Sequence, residues 1–219
     1  MARRRPDARR SRSRRCGGRP GRAVKRRTLH DQYFRRAKRE GYLARSAYKL
    51  LEIQEKKRLI RPGDRVLDLG CAPGSWLQVA AELVGPRGAV VGVDLTPVRP
   101  GLAPTVTAIE ADAFALSPAD LPGGSPFDVL LSDMAPATAG DLSDHYRSMD
   151  LCHRVLDLAG DVLRPGGNLA MKALEGAAYR ELLGRAGGLF RDCRGYRPRA
   201  TRDASTEIYV VGRGFRVGG

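Results

Sequence analysis

The chain has 219 residues, a net charge of +15, and neither a secretory h-region nor an apolar run long enough to cross a membrane. That length suits one α/β domain with a well-buried core plus an appendage. The four cysteines (Cys16, Cys71, Cys152, Cys193) form no C-x-x-C pair and the three histidines (His30, His145, His153) lack ligand spacing, which argues against a disulfide framework or a structural zinc and for a reducing intracellular setting.

Charge is placed unevenly. Residues 1–27 hold 13 Lys/Arg and one acid among Ser, Gly and Pro, with too few apolar residues to fold alone. They are expected to form a disordered basic arm, either attracting RNA through counterion release or standing as a solvated tail. A transit peptide would share the arginines, but the absence of Leu, Ile and Phe spoils an amphipathic helix. Residues 28–219, with a net of only +3, are expected to hold the folded domain. Within them Arg35 to Arg58 and Arg191 to Arg202 are two cationic stretches that would make one phosphate-attracting surface if the fold joins them.

Asp31 to Glu40 reads as a helix stopped by Gly41, and Ser46 can cap a second helix whose face is Ala47, Leu50, Leu51 and Gln54. Lys49 falls in its first turn. A cation beside a positive helix terminus is locally unfavourable, so it either has a task or reaches into water. After the Pro62-Gly63-Asp64 turn, Arg65-Val66-Leu67 reads as a strand running into Asp68-Leu69-Gly70-Cys71-Ala72-Pro73-Gly74-Ser75-Trp76, a tight turn opening a helix. Gly70 permits a turn that a side chain would block, Pro73 suits a first helical turn, and Gly74 lets a ligand approach the backbone. The Gly70-x-x-x-Gly74 spacing differs from the pyrophosphate-binding G-x-G-x-x-G, which disfavours a nicotinamide oxidoreductase and suits a sulfonium amino acid better. Cys71 reads as a small packing residue rather than a nucleophile.

Ala89 to Asp94 is a second buried strand, and Asp94 stands about 20 residues after the glycine turn, where an acid accepts the hydroxyls of a cofactor ribose. Val106 to Glu110 is a third strand; Asp112 beyond it either accepts from an adenine amino group or caps the next segment. Phe127 to Pro136 is a fourth strand and delivers Asp133 to the carboxyl edge of the sheet, where open α/β sheets hold ligands. A long helix from Ser143 to Leu163 follows, and Pro165-Gly166-Gly167 turns into a fifth strand, Asn168 to Lys172, that places Lys172 at the same edge. After a helix from Ala177 to Leu189, the arginine-rich segment leads into a last strand, Ser205 to Val211, with Glu207 near its start and antiparallel pairing expected because too little chain remains for another crossover. Strand–helix alternation indicates a doubly wound, mostly parallel sheet.

Arg45-Ser46-Ala47-Tyr48-Lys49-Leu50, the Asp68–Trp76 turn, Ser132-Asp133-Met134-Ala135-Pro136, Met171-Lys172 and Glu207-Ile208-Tyr209 together resemble the FtsJ/RrmJ (RlmE) family of ribosomal RNA 2'-O-ribose methyltransferases over roughly residues 28–213. The resemblance implies a seven-stranded Rossmann-like S-adenosylmethionine-dependent methyltransferase fold with an antiparallel last strand. It implies cofactor contacts at Gly70, Gly74, Trp76, Asp94, Asp112 and Asp133, and a catalytic set of Lys49, Asp133, Lys172 and Glu207 with Lys172 as proton acceptor. Ser75 departs from the family's Pro-Gly-Gly-Trp turn. No metal is required, since the methyl donor is already activated. A ribose hydroxyl is a poor nucleophile and must shed its proton; a lysine takes it only in neutral form, which Lys49 as a nearby like charge would favour and Asp133 would oppose. Lys49 would also steady charge on the oxygen, and Glu207 would position the lysine or the ribose. The implied substrate is a uridine of the A-loop of large-subunit ribosomal RNA, presented on an assembled particle to a monomeric cytoplasmic bacterial enzyme. Transfer RNA is an alternative substrate, and a non-catalytic ribosome assembly factor is the alternative of a different class.

Overall fold

Short apolar runs bounded by Gly, Pro or Asp become strands, and the amphipathic stretches between them become the helices that cover the sheet. A computed structural model describes residues 23–136, 143–201 and 205–216, so most of the expected arm lies outside the described residues. In chain order the elements are α1 (Ala23–Glu40), α2 (Ala47–Lys57), β1 (Arg65–Leu69), α3 (Ser75–Val84), β2 (Ala89–Asp94), β3 (Val106–Glu110), β4 (Phe127–Ser132), α4 (Ser143–Val162), β5 (Leu163–Leu174), α5 (Tyr179–Leu189), β6 (Phe190–Tyr196) and β7 (Glu207–Phe215). The strands form one seven-stranded sheet in the order β3-β2-β1-β4-β5-β7-β6. The first five pair in parallel, while β7 is antiparallel to both β5 and β6.

The strands of the middle of the sheet are buried on both faces, and their alternation sorts side chains into two core layers. Leu67, Leu69, Leu130, Leu169, Met171 and Val210 pack with α4 and α5. Val66, Val129, Leu131, Ala170, Tyr209 and Val211 pack with α2 and α3. At about 1.5–3 kcal/mol for each large apolar side chain removed from water, these layers are the main stabilising contribution.

Several boundaries differ from the sequence expectation. Helix α1 begins at Ala23 instead of Asp31, so residues 23–27 of the expected arm are helical; Ala23 to Leu29 contains no Gly or Pro to stop it. Ser46 lies just before α2 without a side-chain cap bond; its hydroxyl pairs with that of Ser75 at 2.8 Å. Pro73 precedes α3 rather than starting it, and Gly74, at φ 113°, holds the position before Ser75. β4 ends at Ser132. β5 starts at Leu163 and continues through the expected Pro165–Gly167 turn, with an irregular register opposite Phe127 to Val129. The arginine-rich Phe190–Tyr196 segment is itself a strand at the sheet edge, where charged outward side chains are tolerated and protective.

Candidate active site

The carboxyl ends of β1, β2, β3 and β4 surround a cavity of about 440 Å³ lined by Gly70, Asp94, Asp112 and Asp133, among others. Its tight floor needs a glycine: Gly70 has φ 76°, and a Cβ there would lie 2.5 Å from Met134 Cγ. Asp94 ends β2 and is held rigidly. Its Oδ2 accepts from the Ala72 N–H at 2.8 Å, while Oδ1 accepts from the Thr96 N–H and hydroxyl at 2.9 Å each. Asp112 Oδ1 accepts from the Phe114 N–H at 2.9 Å, a local turn bond; the short 3-10 turn that follows, Pro118–Asp120, is capped by Ser117 instead. Carboxylate oxygens retain further lone pairs for a ligand. Leu95 and Phe114 present exposed apolar side chains to the same cavity, 72% and 52% accessible. Three carboxylates beside exposed apolar walls fit a cationic ligand that carries hydroxyls and a planar ring, and S-adenosylmethionine has all of these.

Gly74 and Trp76 stand outside that lining. Space beside Gly74 is bounded by Leu43 and Leu102. Trp76 is 2% exposed, donates its indole N–H to the Ser46 carbonyl at 2.9 Å, and lies 5.7 Å from the Tyr209 ring. Its side chain joins α3 to the chain entering α2 and stands away from the residues that line the cavity.

Beside the cavity, two lysine–carboxylate pairs are built from four elements. Lys172 on β5 lies 3.1 Å from Asp133 Oδ1 and also donates to the Asp133 carbonyl. Lys49 on α2 lies 2.5 Å from Glu207 Oε1 on β7. The expected set is thus brought together, but Glu207 holds Lys49 and not Lys172. Tyr209 joins the pairs. It faces Lys172 across the antiparallel β5–β7 ladder, donates its hydroxyl to Asp133 Oδ1 at 2.7 Å, and carries Lys49 Nζ 5.8 Å from its ring centroid. Burial, followed by the charge of Asp133, pushes its phenol well above the usual range and keeps it a donor.

Two functional candidates escaped the sequence reading. Tyr209 was visible only as part of a motif; the signal was the two-residue spacing from Glu207, which puts both on one face of β7. Asp68 is the other. It is fully buried, and neither carboxyl oxygen has a hydrogen-bond partner among the described residues. Burial first, then the charges of Asp133 and Asp94, pushes its carboxyl well above the usual range. Cys71 is buried nearby with its thiol pushed up by burial, as fits a packing residue.

The fold also joins the two cationic stretches. Glu52 on α2 accepts from the Tyr196 hydroxyl at 2.8 Å and from the Arg199 N–H at 2.9 Å, and Lys57 lies over the Tyr196 ring at 5.3 Å. Ala37, Tyr48 and Ala200 share a small core that ties α1, α2 and the segment after β6 into one basic surface beside Lys49.

Residues 42–215 match the family model of the FtsJ-like methyltransferases. The chain is 45% identical over 192 residues to the ribosomal RNA large subunit methyltransferase E of Syntrophobacter fumaroxidans, spanning 86% of this chain and 98% of that one. It is 41% identical over 191 residues to the protein of the same name from Pseudomonas aeruginosa, spanning 85% and 91%. Among solved structures, a ribosomal RNA methyltransferase from Plasmodium falciparum superposes with a TM-score of 0.67 at 26% identity, covering 80% of this chain and 98% of that one. An rRNA methylase from Clostridium thermocellum, at 18% identity and a TM-score of 0.51 over 74% and 94% of the chains, shares the fold. The chain therefore belongs to the FtsJ-like methyltransferase family, an enzyme whose methyl donor, S-adenosylmethionine, matches the acceptors of the Asp94–Asp112–Asp133 cavity.

Proposed function

We propose that the protein methylates a ribose 2'-hydroxyl of large-subunit ribosomal RNA, with a uridine of the A-loop as the target nucleotide. The observation that carries this reading is the Lys172–Asp133 pair at the carboxyl edge, sharing Asp133 with the cavity and tied through Tyr209 to Lys49 and Glu207. The names of the relatives support the RNA class. No helix among the described residues is long and apolar enough to cross a membrane. The protein acts as a monomer in the bacterial cytoplasm on an assembled large-subunit particle.

Asp94 and Asp112 would hold the hydroxyls and base of the cofactor, and Asp133 closes the cavity against the lysines. When bound, S-adenosylmethionine supplies a methyl group on a positively charged sulfur that leaves as a neutral thioether. Lys172 accepts the ribose 2'-OH proton at Nζ as the oxygen's electron pair forms the new O–C bond. The Asp133 carbonyl and carboxylate orient that amine. Lys49, fixed by Glu207, faces charge developing on the ribose oxygen. Most of the acceleration comes from alignment of the hydroxyl with the methyl group.

The test is transfer of labelled methyl groups to ribosomal RNA, followed by mapping of 2'-O-methyl positions with and without the gene. A missing modification at an A-loop uridine in the deletion strain is the expected result; an unchanged map with no transfer in vitro would favour an assembly factor. Residues 1–27 act as a basic RNA-attracting arm, so their deletion should lower the salt dependence of RNA binding without changing cofactor affinity.

A further inference from the structure

The edge of the sheet opposite the active site carries a second cavity, of about 360 Å³, at the amino ends of β1, β4, β5 and β6 and the carboxyl end of β7. Five arginines surround it: Arg58, Arg61, Arg164, Arg191 and Arg213. Three acids lie in the same lining and offset part of that charge, each already bonded to a neighbouring group. Asp64 Oδ2 accepts from the Arg61 N–H at 2.8 Å, Asp128 accepts from the Arg65 N–H at 2.7 Å and from the Arg164 side chain, and Asp192 pairs with Arg194 at 2.9 Å. Among the described residues the guanidiniums of Arg58, Arg191 and Arg213 make no hydrogen bond or ion pair, and Arg61 acts on Asp64 only through its charge. Asn168 organises the floor, donating to the Leu59 carbonyl at 2.7 Å and accepting from the Gly214 N–H at 3.3 Å. Arg58 sits there at φ 51°, a left-handed backbone that a non-glycine residue rarely adopts.

Five arginines against three acids leave the lining with an excess of positive charge that an anion would neutralise, and the planar guanidinium forks suit phosphate oxygens. Helix α2 links this edge to the active site: Lys49 lies in its first turn and Arg58 just past its end, about 13 Å apart at 1.5 Å per residue. Lys56 and Lys57 stand between them, and Lys57 packs over Tyr196 of β6. We propose that this cavity is a phosphodiester-binding subsite for RNA running from the catalytic edge along α2 to the amino edge. The proposal rests on the reading of the substrate as RNA. It assigns the arginines a share in RNA affinity and none in the transfer step.

The test is the full chain carrying Arg58→Asn, Arg61→Gln and Arg213→Gln together, exposed changes of which the first tolerates the left-handed backbone. With a long large-subunit RNA fragment, KM should rise about tenfold at unchanged kcat, and the slope of log affinity against log salt should shrink by about one per lost phosphate contact. With an oligonucleotide too short to leave the catalytic edge, wild type and variant should behave alike. Equal KM and equal salt slope on the long RNA would overturn the subsite. Inorganic phosphate titrated into both proteins separates the source of the phosphate: binding that needs the arginines, without any difference on long RNA, would mark a free-anion site and also overturn the RNA assignment. A wild-type enzyme that methylates no RNA would contradict the proposed function instead, while the salt slopes would still decide the subsite.

Discussion

The two halves of the catalytic edge are built differently. On the β1–β2–β3 side, the cavity-lining carboxylates are fixed mainly by backbone N–H groups: Asp94 by Ala72 and Thr96, Asp112 by Phe114. On the β4–β5–β7 side, each charged group is fixed by one far away in the chain: Lys172 by Asp133, Lys49 by Glu207, and Asp133 also by Tyr209. Under the proposed function the first half would hold the cofactor and the second would align a proton acceptor, so that losing one member of the second half should disturb the rest.

The comparison is broken most severely at Lys172. Lys172→Ala should lower kcat by about 10²–10⁴-fold, the usual contribution of a positioned proton acceptor, while calorimetric affinity for S-adenosylmethionine stays near wild type. A parallel fall in cofactor affinity would show that the two halves are not separate. Asp94→Ala should do the reverse, weakening cofactor binding by about tenfold or more, since hydrogen bonds to a charged group contribute about 1.5–3 kcal/mol each. Unchanged affinity would remove Asp94 from the cofactor site.

Tyr209→Phe sharpens the contrast with a single atom. It should cost about 1 kcal/mol of stability and about tenfold in kcat, through Asp133, with the cofactor affinity retained. If kcat were unaffected, the phenol would be only a packing group.

Asp68→Asn gives the smallest effect, and its signature is pH dependence. The folded carboxyl is pushed up, so the stability it contributes is complete below the ordinary carboxylate range of about 4 and is lost as pH rises through the folded value. The variant should show a flatter profile of melting temperature above about pH 4 than wild type. Parallel profiles would mean that Asp68 is not held neutral.

The same contrast explains what could be read in the sequence. Strands β1 to β5 announce themselves as apolar runs, with Asp94 and Asp133 as charged residues at or just beyond their ends and Lys172 two residues before the end of β5. β6 was hidden because an edge strand needs only one covered face, and Phe190-Arg191-Asp192-Cys193-Arg194-Gly195-Tyr196 has no apolar run. The fixed partners were harder still. That Lys49 meets Glu207, 158 positions away, follows from α2 packing over β7, and Trp76 turning toward Ser46 follows from side-chain direction; neither is a property of local pattern. Asp68 looked like part of a turn motif because burial without a partner is a fact of packing.

The central claim is that Lys172 takes the ribose proton rather than merely attracting phosphate. Lys172→Arg retains the positive charge but replaces an amine that can be neutral with a guanidinium that does not give up its proton in a protein. Single-turnover methyl transfer at saturating RNA and cofactor is the direct measurement. Near-complete loss of transfer, with both ligands still bound, is the predicted result; a rate close to wild type would contradict the assignment.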